Sequence, residues 1–401
     1  MSICIHKDVL GTPMHLLSES SGERFSWVRQ PAEDSWTCGF EKSIRSLDAV
    51  SGAAKISIDT TPGKSQVRSW QSVNKSDPRT VKWFLSITPS AFKQFTQKLL
   101  DQLWLIRNQL DNTYYLNQFI KTRETLLQLE RACIDLDALD DAIRRTTHPQ
   151  IRSNLLKFKP DLLGECKDVV YSQSSSVTGR LTVTSGPNIL TLKKEHRGII
   201  KSRYPDGIIV QVDFVSLEPR VVLDIAGKDH EKDVYSQIRR DVFHNQIDRS
   251  AAKICTLASI YGMSSRNLQK KLPKTVKASH VLPEVKQFFD IPGLSHDLTS
   301  QIRKEGHIKN HFGRVIDSSD APVNYFVQST GVDVSLLGFG DIVSRCKVES
   351  LRTHPIFVIH DAMIFDVHRS DIKKFADVLR EGAKIPGMKS RFPVSVDIIR
   401  R

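Results

Sequence analysis

The sequence predicts an α+β fold, and three observations carry that expectation. The run Gly207-Ile208-Ile209-Val210-Gln211-Val212-Asp213-Phe214 is almost unbroken apolar, the pattern of a strand buried on both faces. Residues 356–359 and 363–367 are two more apolar runs. They flank His360-Asp361-Ala362, which reads as a β-hairpin with an acid at its tip. Between Thr88 and Arg145, apolar residues return at steps of three and four, the period of a helix.

Taken in order, residues 1 to about 80 are rich in Ser, Gly and Thr, and their apolar runs are short. They form an N-terminal segment of unknown role. One run, Ala53-Ala54-Lys55-Ile56-Ser57-Ile58, ends in Asp59-Thr60-Thr61. It resembles the start of a proofreading exonuclease strand, where a second acid follows two places on. Thr61 occupies that place, and one carboxylate does not build a two-metal site, so a strand end and a turn are expected. Thr88-Pro89-Ser90 then supplies a cap and a first-turn proline. Phe92, Phe95, Leu99, Leu103 and Ile106 make the first helical stripe, and Leu116, Phe119, Ile120, Leu126, Leu127 and Leu129 a second. Such a pair fits an arm lying along a partner and a plain helical hairpin equally. From Tyr171 a Ser-rich stretch leads through Thr178-Gly179-Arg180 to the strand at 207–214. Residues 217–314 read as mostly helical, and 392–399 as a final strand.

The chain has 401 residues, with room for two or three domains. Lys and Arg number 58 against 45 Asp and Glu, a net charge of +13. That surplus points to a polyanionic partner, nucleic acid ahead of an anionic membrane surface. No stretch approaches the roughly 20 apolar residues of a membrane span, and the N-terminus lacks the pattern of a signal peptide. The six cysteines are scattered without a C-x-x-C pair, so zinc ribbons and thioredoxin-type sites are not supported. Buried reduced thiols in a cytoplasmic protein are expected.

Asp213 ends an apolar strand and Asp361 tops an apolar hairpin. Either alone reads as a strand end. On neighbouring strands, the two carboxylates would meet at one rim and suit a pair of Mg2+ ions, which prefer oxygen ligands. Between them, Arg249, Lys253, Leu257 and Tyr261 recur every four residues and share one helix face. Two cations and an aromatic ring there suit a triphosphate with its base and sugar; alone, the same face could simply be solvated.

The order and spacing of these segments resemble the polymerase portion of family A DNA polymerases. Asp213-Phe214-Val215-Ser216-Leu217-Glu218-Pro219-Arg220 resembles the family's motif A, the run from Arg249 to Gly262 its motif B, and Val358-Ile359-His360-Asp361-Ala362 its motif C. Thr178-Gly179-Arg180-Leu181 with Pro187-Asn188 resembles the T-G-R-L…P-N segment. Gly313-Arg314, Asn324 and Gln328 match the G-R and N-x-x-x-Q that precede motif C. The matches fall in family order over roughly residues 171 to 399.

The resemblance implies a right-hand polymerase fold with a palm β-sheet, helical fingers and a helical thumb. The thumb would span 81–170, the palm 171–232 and 311–401, and the fingers 233–310. It implies template-directed addition of dNTPs to a primer 3′-OH. Asp213 and Asp361, with the carbonyl of Phe214, would hold two Mg2+ ions. Arg249 and Lys253 would bind the triphosphate, Lys253 also serving as general acid. Glu218 would exclude a ribose 2′-OH beside Tyr261, with Leu257 and Tyr235 also at the nucleotide. Arg180, Asn188, Arg220, Arg314, Asn324, Gln328 and His360 would contact primer-template DNA.

The sequence departs from the family pattern at Ala362, where Glu is usual, at Pro219, where Leu is common, and at Tyr235, which stands in the place of a His. The spacing from T-G-R-L to P-N is one residue longer. No complete set of exonuclease acids is found upstream. A short phage or mobile-element polymerase without proofreading is therefore expected, with a separate chain possible for proofreading or processivity. Two alternatives stand beside it. A catalytically silent, polymerase-derived DNA-binding replisome component accounts for Ala362 but not for Asp213, Lys253 and Asp361 together. A single-subunit RNA polymerase-like enzyme normally lacks the counterpart of Glu218.

Overall fold

A computed structural model describes residues 2–19, 24–39, 43–51, 56–60, 84, 87–110, 114–173, 175–274, 276–318 and 320–400. The chain divides into two compact units, Met1–Ile120 and Lys121–Arg401.

The first unit holds a four-stranded sheet built from β1 (Ser2–Ile5), β2 (His15–Glu19), β3 (Arg24–Val28) and β4 (Trp36–Cys38), in the order β3-β2-β1-β4. β1 and β2 are antiparallel, whereas β1 and β4 are parallel, with Ile3 opposite Trp36. Ile3, Ile5, Leu16 and Trp36 form the core with Leu99, Leu103 and Ile106 of α1 (Pro89–Leu110). Thr88 caps α1 through Oγ1, which accepts from the Ala91 amide at 3.2 Å, as the cap chemistry predicts. The strand end expected near Asp59 is not found: Ile56–Thr60 are irregular, and Ala53–Lys55 and Thr61 lie outside the described residues. The division between units falls within α2 (Tyr114–Leu127), inside the stretch expected to be the thumb.

The second unit has the mixed helix and sheet that the sequence predicts. A small hairpin pairs β5 (Val170–Ser172) with β6 (Thr182–Ser185). The main sheet has the order β8-β9-β7-β10, from β7 (Ile208–Phe214), β8 (Thr353–Ile359), β9 (Ala362–Val367) and β10 (Val394–Arg400), all antiparallel. Ile209, Val210 and Val212 are buried, so β7 is the central strand its composition predicts. The long helix α8 (Pro322–Val348) packs on it. The rings of Phe214 and Phe339 lie 4.9 Å apart, and a Cβ on Gly338 would fall 2.7 Å from the Phe214 ring. Only glycine fits that approach.

Helices dominate 217–305 as expected: α3 (Leu217–Ile225), α4 (Val234–Asp241), α5 (Arg249–Ile260), α6 (Ala278–Phe288) and α7 (Ile291–Glu305). They enclose their own apolar core, to which α5 contributes Ala251, Ala252, Cys255 and Ala258. Small residues on that side let neighbouring helices approach closely. Asp248 starts α5 by accepting from the Ala251 amide at 2.7 Å. Lys270, Lys271, Lys274 and Lys277 are exposed, as a solvated face requires. All six cysteines are free thiols, and Cys133 alone among them is not fully buried. Among the described residues, no helix is long and apolar enough to cross a membrane.

Candidate active site

The sheet register brings the two sequence-selected acids together. Asp213 lies opposite Ala362 across β7 and β9, and the amide of Phe214 donates to the carbonyl of Asp361 at 3.3 Å. Asp361 occupies the two-residue turn between β8 and β9, where His360 has a left-handed backbone with φ 55°. Ser216, three residues after Asp213, is also left-handed with φ 54°. Asp361 therefore adjoins, and Asp213 lies three residues from, a conformation that non-glycine residues rarely adopt, the kind of strain that clusters at functional positions.

Asp213 is half-buried, and Asp361 is exposed at the rim. Burial, then the carboxylates of Asp361 and Asp397, push the Asp213 carboxyl up to about 7, while Lys253 and Lys194 oppose the shift. A site that crowds negative charge onto a desolvated carboxylate favours a cation.

Across the same cleft stands α5. Its inner face is the apolar side described above. Arg249, Lys253, Leu257 and Tyr261 turn to the other side and line the cleft with Asp213, Asp361 and His360. The cleft encloses about 670 Å3. Tyr235 lies under both cations, with the Arg249 guanidinium 5.3 Å and the Lys253 ammonium 5.8 Å from its ring centre. Arg249 also binds Asp233, Nε at 2.7 Å and one Nη at 3.1 Å. That pairing holds the Asp233 carboxyl down at about 2.

Glu218, in the first turn of α3, projects into the cleft beside Tyr261. Its Oε2 accepts from the Tyr261 hydroxyl, and its Oε1 lies 3.7 Å from Arg180. Burial raises the Glu218 pKa, and Tyr261 and Arg180 counter the shift. Gln328 lines the cleft too, and its amide donates to Asn324 Oδ1 at 2.6 Å one turn earlier on α8.

Two of the residues expected to contact DNA lie in the interior. Arg220 is 1% exposed. Its guanidinium donates to the carbonyls of Val215 and Lys232 and meets His230 Nδ1 at 2.7 Å. Arg314 is 6% exposed and binds the buried Asp333 at 2.8 Å. Both guanidiniums are bonded within the interior. Asn188 is half-buried outside the cleft, its carbonyl accepting from the Asn154 amide at 3.0 Å.

Sequence reasoning passed over Asp233, although the neighbouring Tyr235 was singled out; an acid beside a cation-binding segment was the available signal. It also missed Ser395 on β10, which lies opposite Asp213 and lines the cleft. Its only signal was membership in a strand whose partner is not written in the sequence.

The donors present suit Mg2+: two carboxylates and backbone carbonyl oxygen, without thiolate or imidazole in the pair. Among the described residues, no cluster of three or more His, Cys, Asp or Glu is arranged to hold a metal. A protein share of two acids leaves the remaining positions to water and phosphate oxygens.

Paired acids at a sheet rim thus face a cationic helix across one cleft. Comparison with known proteins gives the family. Residues 93–399 match the model for DNA polymerase family A, and the chain belongs to that family. It is 24% identical over 270 residues to DNA polymerase I of Rhizobium leguminosarum, covering 57% of this chain and 26% of that protein. It is 23% identical over 252 residues to the DNA polymerase of Bacillus phage SP01, covering 51% and 27%. The chain thus spans about a quarter of the length of these relatives. Among solved structures, it resembles the POL domain of Pol1 from M. smegmatis in complex with DNA primer-template and dNTP. The TM-score is 0.65 at 14% identity, over 96% of this chain and 92% of that one.

Proposed function

We propose that the protein is a DNA-directed DNA polymerase that adds dNTPs to a primer 3′-OH by two-metal nucleotidyl transfer. The observation that carries this reading is the juxtaposition of Asp213 and Asp361 on adjacent strands, facing Arg249 and Lys253 across one cleft. Residues 171–232 and 311–401 act as palm, 233–310 as fingers and 81–170 as thumb.

Asp213 and Asp361, with the carbonyl of Phe214, would hold two Mg2+ ions. The chemistry the ions supply when bound is activation of the attacking hydroxyl and neutralisation of charge on the phosphates. Arg249 and Lys253 receive the triphosphate, and Lys253 gives its proton to the departing pyrophosphate. Glu218, held by Tyr261, fills the space a 2′-OH would need. Arg180, Gln328 and His360 follow the primer-template, consistent with the net charge of +13. The polymerase complex with primer-template and dNTP in the resembling structure supports the same substrates for this chain.

Proofreading is not part of this proposal. A separate chain would supply proofreading or processivity, and the setting would be the cytoplasm.

Primer extension tests the reading. The wild-type protein with Mg2+ and dNTPs extends an annealed primer, and Asp213→Ala and Asp361→Ala each lose about a thousandfold or more in rate, a barrier change of about 4 kcal/mol. A wild-type protein that binds primer-template and never extends it would instead favour the silent replisome component, the reading that Ala362 suggests.

A further inference from the structure

We propose that the buried Arg314–Asp333 pair is a positioning device for Arg180, and through Arg180 fixes the orientation of Glu218. The proposal rests on the reading of Glu218 as the residue that discriminates between sugars. It assigns a role to residues that the reaction itself does not use.

The device begins at Asp333 on α8, which is 1% exposed. Its Oδ1 accepts from Arg314 at 2.8 Å and from Gln173 at 3.2 Å. Its Oδ2 accepts from Asn310 at 2.7 Å and from Arg314 Nε at 3.3 Å. Asn310 in turn locks the turn that carries Arg314: its Oδ1 accepts from the amides of Phe312 at 3.0 Å and Arg314 at 2.9 Å. Every group of this buried cluster has a partner, and such a cluster holds one geometry.

The Arg314 guanidinium then lies against Gly179. A Cβ on Gly179 would fall 2.8 Å from Arg314 Cζ and Nε, and the residue has φ +73°. Glycine is required there twice over, for the backbone angle and for the approach. Asp333 thus seats the Thr178-Gly179-Arg180 turn through Arg314 beneath it, and also holds Gln173 upstream. Arg180 is the next residue. It meets Glu218 Oε1 at 3.7 Å, while Tyr261 holds Oε2. One oxygen of Glu218 is therefore set by the fingers helix side and the other by a turn whose seat is in the core. Moving the seat lets the carboxylate rotate away from the position of a sugar 2′ substituent.

The test is the ratio of kcat/KM for a dNTP to that for the matching rNTP in single-nucleotide primer extension. It is measured on Gly179→Ala, Arg314→Lys and Asp333→Asn, with melting temperature followed in parallel. Three variants are used because breaking a buried pair can cost enough stability to prevent folding. The ratio is expected to fall about three- to thirtyfold in each folded variant. The fall is expected to vanish when Glu218→Ala is already present. A structural role alone would lower stability and both kcat/KM values together and leave the ratio intact, which overturns the proposal. If Glu218→Ala lowers the ratio and Gly179→Ala does not, the device is wrong and the role of Glu218 stands. If Glu218→Ala itself leaves the ratio unchanged, the sugar-discrimination reading falls, and this inference with it.

Discussion

Arg249 is held by Asp233 through two nitrogens while its guanidinium lies over the ring of Tyr235. The cation expected to receive a triphosphate is thus already shared with a carboxylate. Asp233 also starts α4, accepting from the Tyr235 amide at 3.2 Å. One acid fixes both the cation and the ring beneath it.

Asp233→Asn keeps the helix cap and removes the competing charge. A half-exposed pair of this kind is worth about 0.2–1 kcal/mol. The KM for dNTP is expected to fall about two- to fivefold, with kcat little changed. Steady-state single-nucleotide incorporation measures it; a higher KM would show that Asp233 serves the nucleotide rather than competing with it.

Arg249 and Lys253 share a helix face, and the proposed function gives them different roles. Arg249→Ala is expected to act mainly on KM, because a guanidinium on the triphosphate would bind ground and transition states alike. Lys253→Ala is expected to reduce kcat about 10²- to 10⁴-fold, the loss of a general acid. Rapid-quench measurement of both constants separates the two.

Asp213 makes the metal-free protein sensitive to pH. Its carboxyl titrates at about 7 in the folded chain, against about 4 when unfolded. Below about pH 4 it is neutral in both states and carries no penalty. As pH rises toward 7, the unfolded chain releases this proton first, and stability is lost until the folded group has also ionised. In chelator, Asp213→Asn should therefore melt above wild type at pH 8, and the gap should close by about pH 4. Equal melting temperatures at pH 8 would contradict it. Mg2+ is expected to raise the wild-type melting temperature and leave the Asn variant nearly unmoved.

Tyr171 is buried, and its hydroxyl donates to the carbonyl of Val358 at 2.9 Å and accepts from the Val358 amide at 3.0 Å. Phenylalanine leaves both backbone groups of that strand unpaired in the interior. Tyr171→Phe should cost about 1–3 kcal/mol of unfolding free energy, read from denaturant titration. Because Val358 stands two residues before His360, primer extension should weaken along with stability.

The site was legible where chemistry and periodicity coincide. The apolar run at 207–214 and the paired runs around Asp361 announce buried neighbouring strands, and the four-residue spacing from Arg249 to Tyr261 announces one helix face. The burial of Arg220 and Arg314 was not legible, because a cation in a nucleic-acid-binding motif looks like a surface contact. Only Asp333, nineteen residues beyond Arg314 on another element, explains why that charge is buried. The sheet of β1 to β4 was not legible. Its strands are three to five residues long, and β4 joins beside β1 in parallel, a pairing no local pattern encodes.

β7 lies between β9 and β10 in the main sheet, although those partners arrive from far along the polypeptide. Non-local pairings of this kind slow folding, since long loops must close before any contact rewards them. A chain emerging from a ribosome therefore exposes a bare, greasy strand until residues 362–367 have followed it. Chaperone demand and aggregation on overexpression should concentrate there, and Asp213 and Asp361 meet only once that long-range pairing has formed.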